Sequence, residues 1–134
     1  MTQIGPHHLS KTPAILTPAM QLVTKAFGPG FYESLDGEFE GFVGHSLIQI
    51  HAFESAWPTW EMHPKGDELV CLIEGDVDFV LRVDGEDQVV RVNEPGSYVV
   101  VPKGIWHTAR PHTPTKMLFV TPGEGTQNEE SPPR

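Results

Sequence analysis

The sequence predicts an all-β fold, a barrel or two-sheet sandwich preceded by a short N-terminal arm or helix. Three observations carry this expectation. From about residue 40 onward the apolar residues alternate or gather in short β-branched runs, with no long helical period. Gly, Pro, Asn and Asp turns separate those runs at close intervals. One pair of runs, 77–83 and 88–92, flanks Asp84-Gly85, a dipeptide that favours a tight hairpin.

Taken in order, residues 1–16 carry Pro6 and Pro13 without periodicity and read as an arm. The stretch TPAMQLVTKAFG predicts a short helix, with Thr17 as cap, Pro18 at the first helical position and Gly28 as the stop. After GPG the character changes. In FEGFVGHSLIQIHAF, Ile48, Ile50 and Ala52 oppose Leu47, Gln49, His51 and Phe53, the alternation of a strand. Further strands are expected at 69–73, 77–83, 88–92, 97–101 and 116–120, joined by EGD, DGED, NEPG, PKG and RPHTPT. The tail TPGEGTQNEESPPR is polar and proline-rich, and is expected to bury little and stay mobile. The chain thus divides into an arm over 1–39, a β barrel over 40–120 and a tail over 121–134.

The 134 residues suit one domain, and a chain of that size buries roughly two-thirds of its unfolded surface, enough for a core without covalent staples. With 18 acidic residues against 9 Lys and Arg, the formal net charge is −9, which argues against nucleic acid or an anionic membrane as partner. A single cysteine, Cys71, excludes an internal disulfide and any cysteine-rich zinc site, and its apolar neighbours place it in the core. No signal peptide or membrane-spanning run is evident, so a reducing, cytoplasmic setting is the expectation.

Charged residues beside the apolar run 69–73 need partners, because an unpaired buried charge is costly. Glu61 and His63 are two apart and point to one face of a strand. PKGD then turns the chain, and Glu68 shares a face with Val70 and Leu72. Two adjacent strands thereby aim Glu61, His63 and Glu68 at one point inside the barrel. His107, after a strand and a Pro-x-Gly turn, supplies a fourth donor. Imidazole and carboxylate are donors for iron, manganese, zinc or nickel, and a divalent ion would pair the buried carboxylates.

These residues resemble the two motifs of a small single-domain cupin. The first, G-x5-H-x-H-x(3,4)-E-x6-G, is met with Ser55 at the opening glycine, Glu61 at the first histidine, then His63, Glu68 and Gly75. The second, G-x5-P-x-G-x2-H-x3-N, is met at Gly96, Pro102, Gly104 and His107, with Pro111 in place of Asn. The resemblance covers roughly 40–120 and implies a double-stranded β-helix, the jelly-roll barrel, holding a divalent transition metal. It carries over the ligand role to His63, Glu68 and His107. Glu61 takes it only if a carboxylate replaces imidazole there; otherwise Glu61 is a general base beside a three-ligand site. The resemblance also implies a homodimer, with residues 17–39 as an exchanged arm, and a small-molecule ligand.

Plainer roles stand beside these. Glu61 also suits a solvated strand or an ion pair with Arg82, Arg91 or Arg110, and the three carried-over residues suit a relic site without metal. His51 and Phe53 share a strand face and, with Trp106, are candidate pocket residues; core or wall packing serves them equally. Three functions follow: a metal-dependent enzyme on a small polar molecule, dioxygenase- or isomerase-like; a non-catalytic small-molecule-binding or sensing module; and a structural protein. The fold alone does not choose among them.

Overall fold

Eleven short strands, one α-helix and a short 3-10 helix (Glu40–Phe42) make up the computed structural model, which describes residues 4–131. The strands are β1 (Ala14–Leu16), β2 (Leu22–Thr24), β3 (Ser46–Phe53), β4 (Trp60–Met62), β5 (Glu68–Glu74), β6 (Val77–Val83), β7 (Glu86–Val92), β8 (Tyr98–Val101), β9 (His107–Pro111), β10 (Thr115–Thr121) and β11 (Gln127–Glu129). A helix, α1 (Phe31–Glu38), precedes β3. The strands form two antiparallel sheets, ordered β2-β1-β3-β10-β5-β8 and β11-β4-β9-β6-β7. The jelly-roll barrel expected from the sequence is therefore present.

Alternation places the core between the sheets. Val70 and Leu72 on β5, Phe79 and Leu81 on β6, Ala109 on β9 and Met117 and Phe119 on β10 all face inward and are buried. The β6–β7 hairpin turns through Asp84 and Gly85 with φ 52° and 78°, a two-residue loop with both centres left-handed, as the dipeptide predicts. Gly75, at φ 119°, lies where an added Cβ would stand 2.7 Å from the Thr115 Cα, so only glycine lets β5 and β10 meet there.

Three expectations need correction. Residues 17–28 form no helix: β2 pairs with β1 through Ala14↔Thr24 and Leu16↔Leu22, and β1 pairs in turn with β3. Sheet pairing buries Ile15 and outweighs the capping signals at Thr17 and Pro18. The helix lies at 31–38 instead, where Phe31 and Leu35, one turn apart, pack with Ile15, Phe42 and Leu47 in a second apolar cluster. The tail is not wholly free either, since β11 pairs with β4 through Asn128↔Glu61. Finally, Cys71 points away from the core between Val70 and Leu72 and is half-buried, as strand alternation requires.

Candidate metal centre

Glu61, His63, Glu68 and His107 converge at one end of the barrel. They do so from facing sheets, not from adjacent strands as the sequence reading had it. Glu61 on β4 sits directly opposite His107 on β9 in the five-stranded sheet, and His63 follows just past the end of β4. Glu68 opens β5 in the other sheet.

Four distances define the cluster. Glu68 Oε1 is 3.1 Å from His107 Nε2, and Glu68 Oε2 is 3.4 Å from His63 Nε2. Glu61 Oε2 is 3.8 Å from His63 Nε2 and 4.0 Å from His107 Nε2. His63, Glu68 and His107 are buried, at 4%, 2% and 0% exposure, whereas the Glu61 side chain is 35% exposed. Of the alternative partners for Glu61, Arg82 pairs with Asp87 and Arg91 with Asp76.

Among the described residues, His63 Nε2, Glu68 Oε1 and His107 Nε2 are buried without a hydrogen-bond partner, although they lie so close together. Buried polar atoms are rarely left so. Atoms that approach within 4 Å yet do not aim at one another instead share a common point between them. Ligands about 2.0–2.2 Å from one ion stand about 3.0–3.6 Å apart, close to the separations here. Glu61, His63 and His107 offer ligand atoms all within 4.8 Å of one another, and the Glu68 oxygens flank both imidazoles. The donor set fits a divalent ion.

The surrounding bonds set the imidazole tautomers. His107 Nδ1 donates to the Ile105 carbonyl at 3.0 Å, which leaves Nε2 of the neutral ring as a lone pair. Thr126 Oγ1 gives its proton to the Gly123 carbonyl at 2.9 Å, so at 2.8 Å it accepts from His63 Nδ1. His63 Nε2 is thereby a lone pair as well. Thr121 Oγ1 donates to Glu68 Oε2 at 2.6 Å. These outer bonds orient ligands in the manner usual for metal sites. Thr121 and Thr126 went unnoticed in the sequence, because both lie in or beside the stretch read as tail.

Burial pushes the Glu61 carboxyl above its usual range, although the nearby His107 opposes this. For Glu68, burial also acts upward, but contact with the His107 and His63 imidazoles outweighs it and brings the carboxyl down to about 2. Burial lowers His107, yet the Glu68 carboxylate more than compensates and leaves it above its ordinary value.

A cavity of about 710 Å³ opens from the cluster. Gln49, His51 and Phe53 line it from β3, with Trp57, Phe119 and α1 forming other walls. Of the pocket residues expected from sequence, His51 and Phe53 are there, and Trp106 is not. Trp106 precedes His107 directly, so a side chain next to an inward one turns away. Trp57 takes its place, 6.5 Å from the His107 ring.

No family model matches the chain, and no curated protein matches it. Solved structures do. Oxalate oxidase in complex with glycolate aligns at a TM-score of 0.52 and 16% identity, over 61% of this chain and 45% of that one. Peruvianin-I, a cysteine peptidase from Thevetia peruviana latex, aligns at 0.51 and 19% identity, over 61% of this chain and 54% of that one. A cupin-2 domain protein from Shewanella frigidimarina aligns at 0.49 and 23% identity, over 57% and 70%. The chain thus spans less than half of the oxalate oxidase it matches. At these identities the likeness is one of fold. What the likeness shows is the fold, a jelly-roll barrel of the kind found in cupins. Among the described residues no helix is long and apolar enough to cross a membrane.

Proposed function

We propose that this chain is a metal-dependent enzyme of cupin fold that binds a divalent transition ion through His63, Glu68 and His107 and acts on a small molecule in the adjoining cavity. The observation that carries the reading is the convergence of three buried donor atoms without hydrogen-bond partners beside the Glu61 carboxylate. A bound ion would supply Lewis acidity toward an oxygen of the ligand. His63 and His107 present their Nε2 lone pairs because their Nδ1 protons are engaged elsewhere. Thr121 holds the Glu68 carboxylate in place.

Glu61 is the most exposed of the four cluster residues, and burial raises its proton affinity. Either property suits a group that takes a proton from a bound ligand, and a raised carboxyl lies closer to neutral pH, where a general base works best. Ligation of the ion by Glu61 is the competing role. Glu61→Gln decides between them. Unchanged metal content with turnover lost identifies a base, whereas loss of metal identifies a ligand. Full-length protein prepared without chelator and containing no metal, and taking none up on titration, would overturn the proposal.

A further inference from the structure

The cavity carries a second polar group besides the metal cluster. Tyr32 on α1 crosses to β3, where its hydroxyl donates to Gln49 Oε1 at 3.0 Å and stands 2.8 Å from His51 Nε2. With its single proton given to Gln49, the phenol oxygen accepts from His51 Nε2, and Gln49 keeps its amide donors for another partner. Tyr32 is 45% exposed, so it edges the cavity without filling it. Burial raises the Tyr32 phenol and lowers the His51 imidazole, so both are neutral near pH 7. Tyr32, Gln49 and His51 therefore offer hydrogen bonds and no charge of their own, with acidic Asp36 and Glu61 the charged neighbours.

The remaining lining has two characters. Phe53, Trp57 and Phe119 form an aromatic wall, with Trp57 ring centroids 5.6 Å from Phe53 and 5.9 Å from Phe119. Every fully charged side chain in the lining is acidic: Asp36 on α1, Glu61 and Glu68. A divalent ion balances the two glutamates and leaves Asp36 uncompensated. An anion entering the cavity meets like charge and finds only neutral donors and acceptors on Tyr32, Gln49 and His51.

We propose that the cavity selects a flat, uncharged small molecule with two hydrogen-bonding groups, one beside Glu61, His63 and His107 and the other on Gln49, which Tyr32 orients. The aromatic wall holds its body, and a negatively charged molecule of the same shape is rejected. The inference rests on the cavity being the ligand site of the proposed enzyme.

Nicotinamide and nicotinate are a matched pair of probes, equal in shape and different in charge. Calorimetric titration of the full chain loaded with Mn(II) should give nicotinamide about tenfold tighter binding than nicotinate. Tyr32→Phe should weaken nicotinamide about fivefold, because it removes the hydrogen bond that orients Gln49, at unchanged melting temperature and metal content. Asp36→Asn should strengthen nicotinate and leave nicotinamide as it was. Nicotinate binding as tightly as nicotinamide overturns the inference, as does neither probe binding or Tyr32→Phe having no effect. Metal content measured on the same samples reports separately on the enzyme proposal. A metal-free wild type that still prefers nicotinamide and responds to Tyr32→Phe supports the selectivity while overturning the metal.

Discussion

Thr126 Oγ1 stands 2.8 Å from His63 Nδ1 and donates its own proton to the Gly123 carbonyl. A residue near the C-terminus thereby dictates which nitrogen of a barrel histidine faces the cluster. Thr126→Val keeps the shape and removes the acceptor, so His63 loses its tautomeric bias. The expected result is a metal affinity lower by about tenfold, with melting temperature in the metal-free state little changed. Competition titration against a chromophoric chelator measures it.

Removing the donors themselves has a larger effect. His63→Ala, Glu68→Ala and His107→Ala should each reduce bound metal, as read by elemental analysis, to a small fraction of one ion per chain. Metal should also raise the melting temperature of the wild type, because it binds the folded state alone. At a free concentration of 100 times Kd the gain is about 2.7 kcal/mol. The His107→Ala variant should show no such gain in differential scanning fluorimetry.

Protons compete with metal for the same lone pairs. The Glu68 carboxylate leaves His107 with a pKa above its usual value, despite the downward push of burial. Below that pKa the ring is protonated and must release a proton to bind an ion. Metal affinity should therefore fall as pH drops, beginning above the ordinary imidazole value of about 6.5. Isothermal titration across pH 5.5–8.5, with roughly tenfold lost per unit for each proton displaced, tests this. Affinity flat over that range would contradict it.

The metal-free protein carries a second pH signature. Glu68 is held at about 2, below its ordinary range, so its contribution to stability is complete above about 4.5 and is lost as pH falls through about 2. Its size is of order 3 kcal/mol. Glu68→Gln should flatten the acid limb of a urea-denaturation series in that window.

Gly75→Ala tests the fold away from the metal. The new Cβ would stand 2.7 Å from the Thr115 Cα and 2.8 Å from the Pro114 carbonyl oxygen, at a φ of 119° that L side chains rarely adopt. Backbone cannot yield as a flexible side chain does. A loss of about 2–4 kcal/mol in urea denaturation is expected.

Much of this molecule was legible in the chain because strand alternation is a local rule. Glu68, Val70 and Leu72 share an inward face for the reason that any residues two apart do, and the same rule placed Gln49, His51 and Phe53 along the cavity. Asp84-Gly85 specified its hairpin because few residues accept two successive left-handed centres. The misplaced helix shows the limit of such rules. Thr17, Pro18 and Gly28 carry helix signals, but β1 offered a pairing edge and Ile15 a burial site that local sequence does not reveal.

The sequence by itself determined the chemistry on offer: two imidazoles and two carboxylates at spacings that point them inward, in a barrel of short strands. Tertiary structure decided how those groups meet. It brought Glu68 across from the opposite sheet and set Thr126 behind His63. It also carried Tyr32 from α1 onto Gln49 and His51. Each of these contacts joins residues far apart in the chain, 63 positions in the case of Thr126 and His63. Their closeness depends on how two sheets stack and where a helix docks. Those outcomes belong to the packing of the whole core, and no short stretch of residues encodes them.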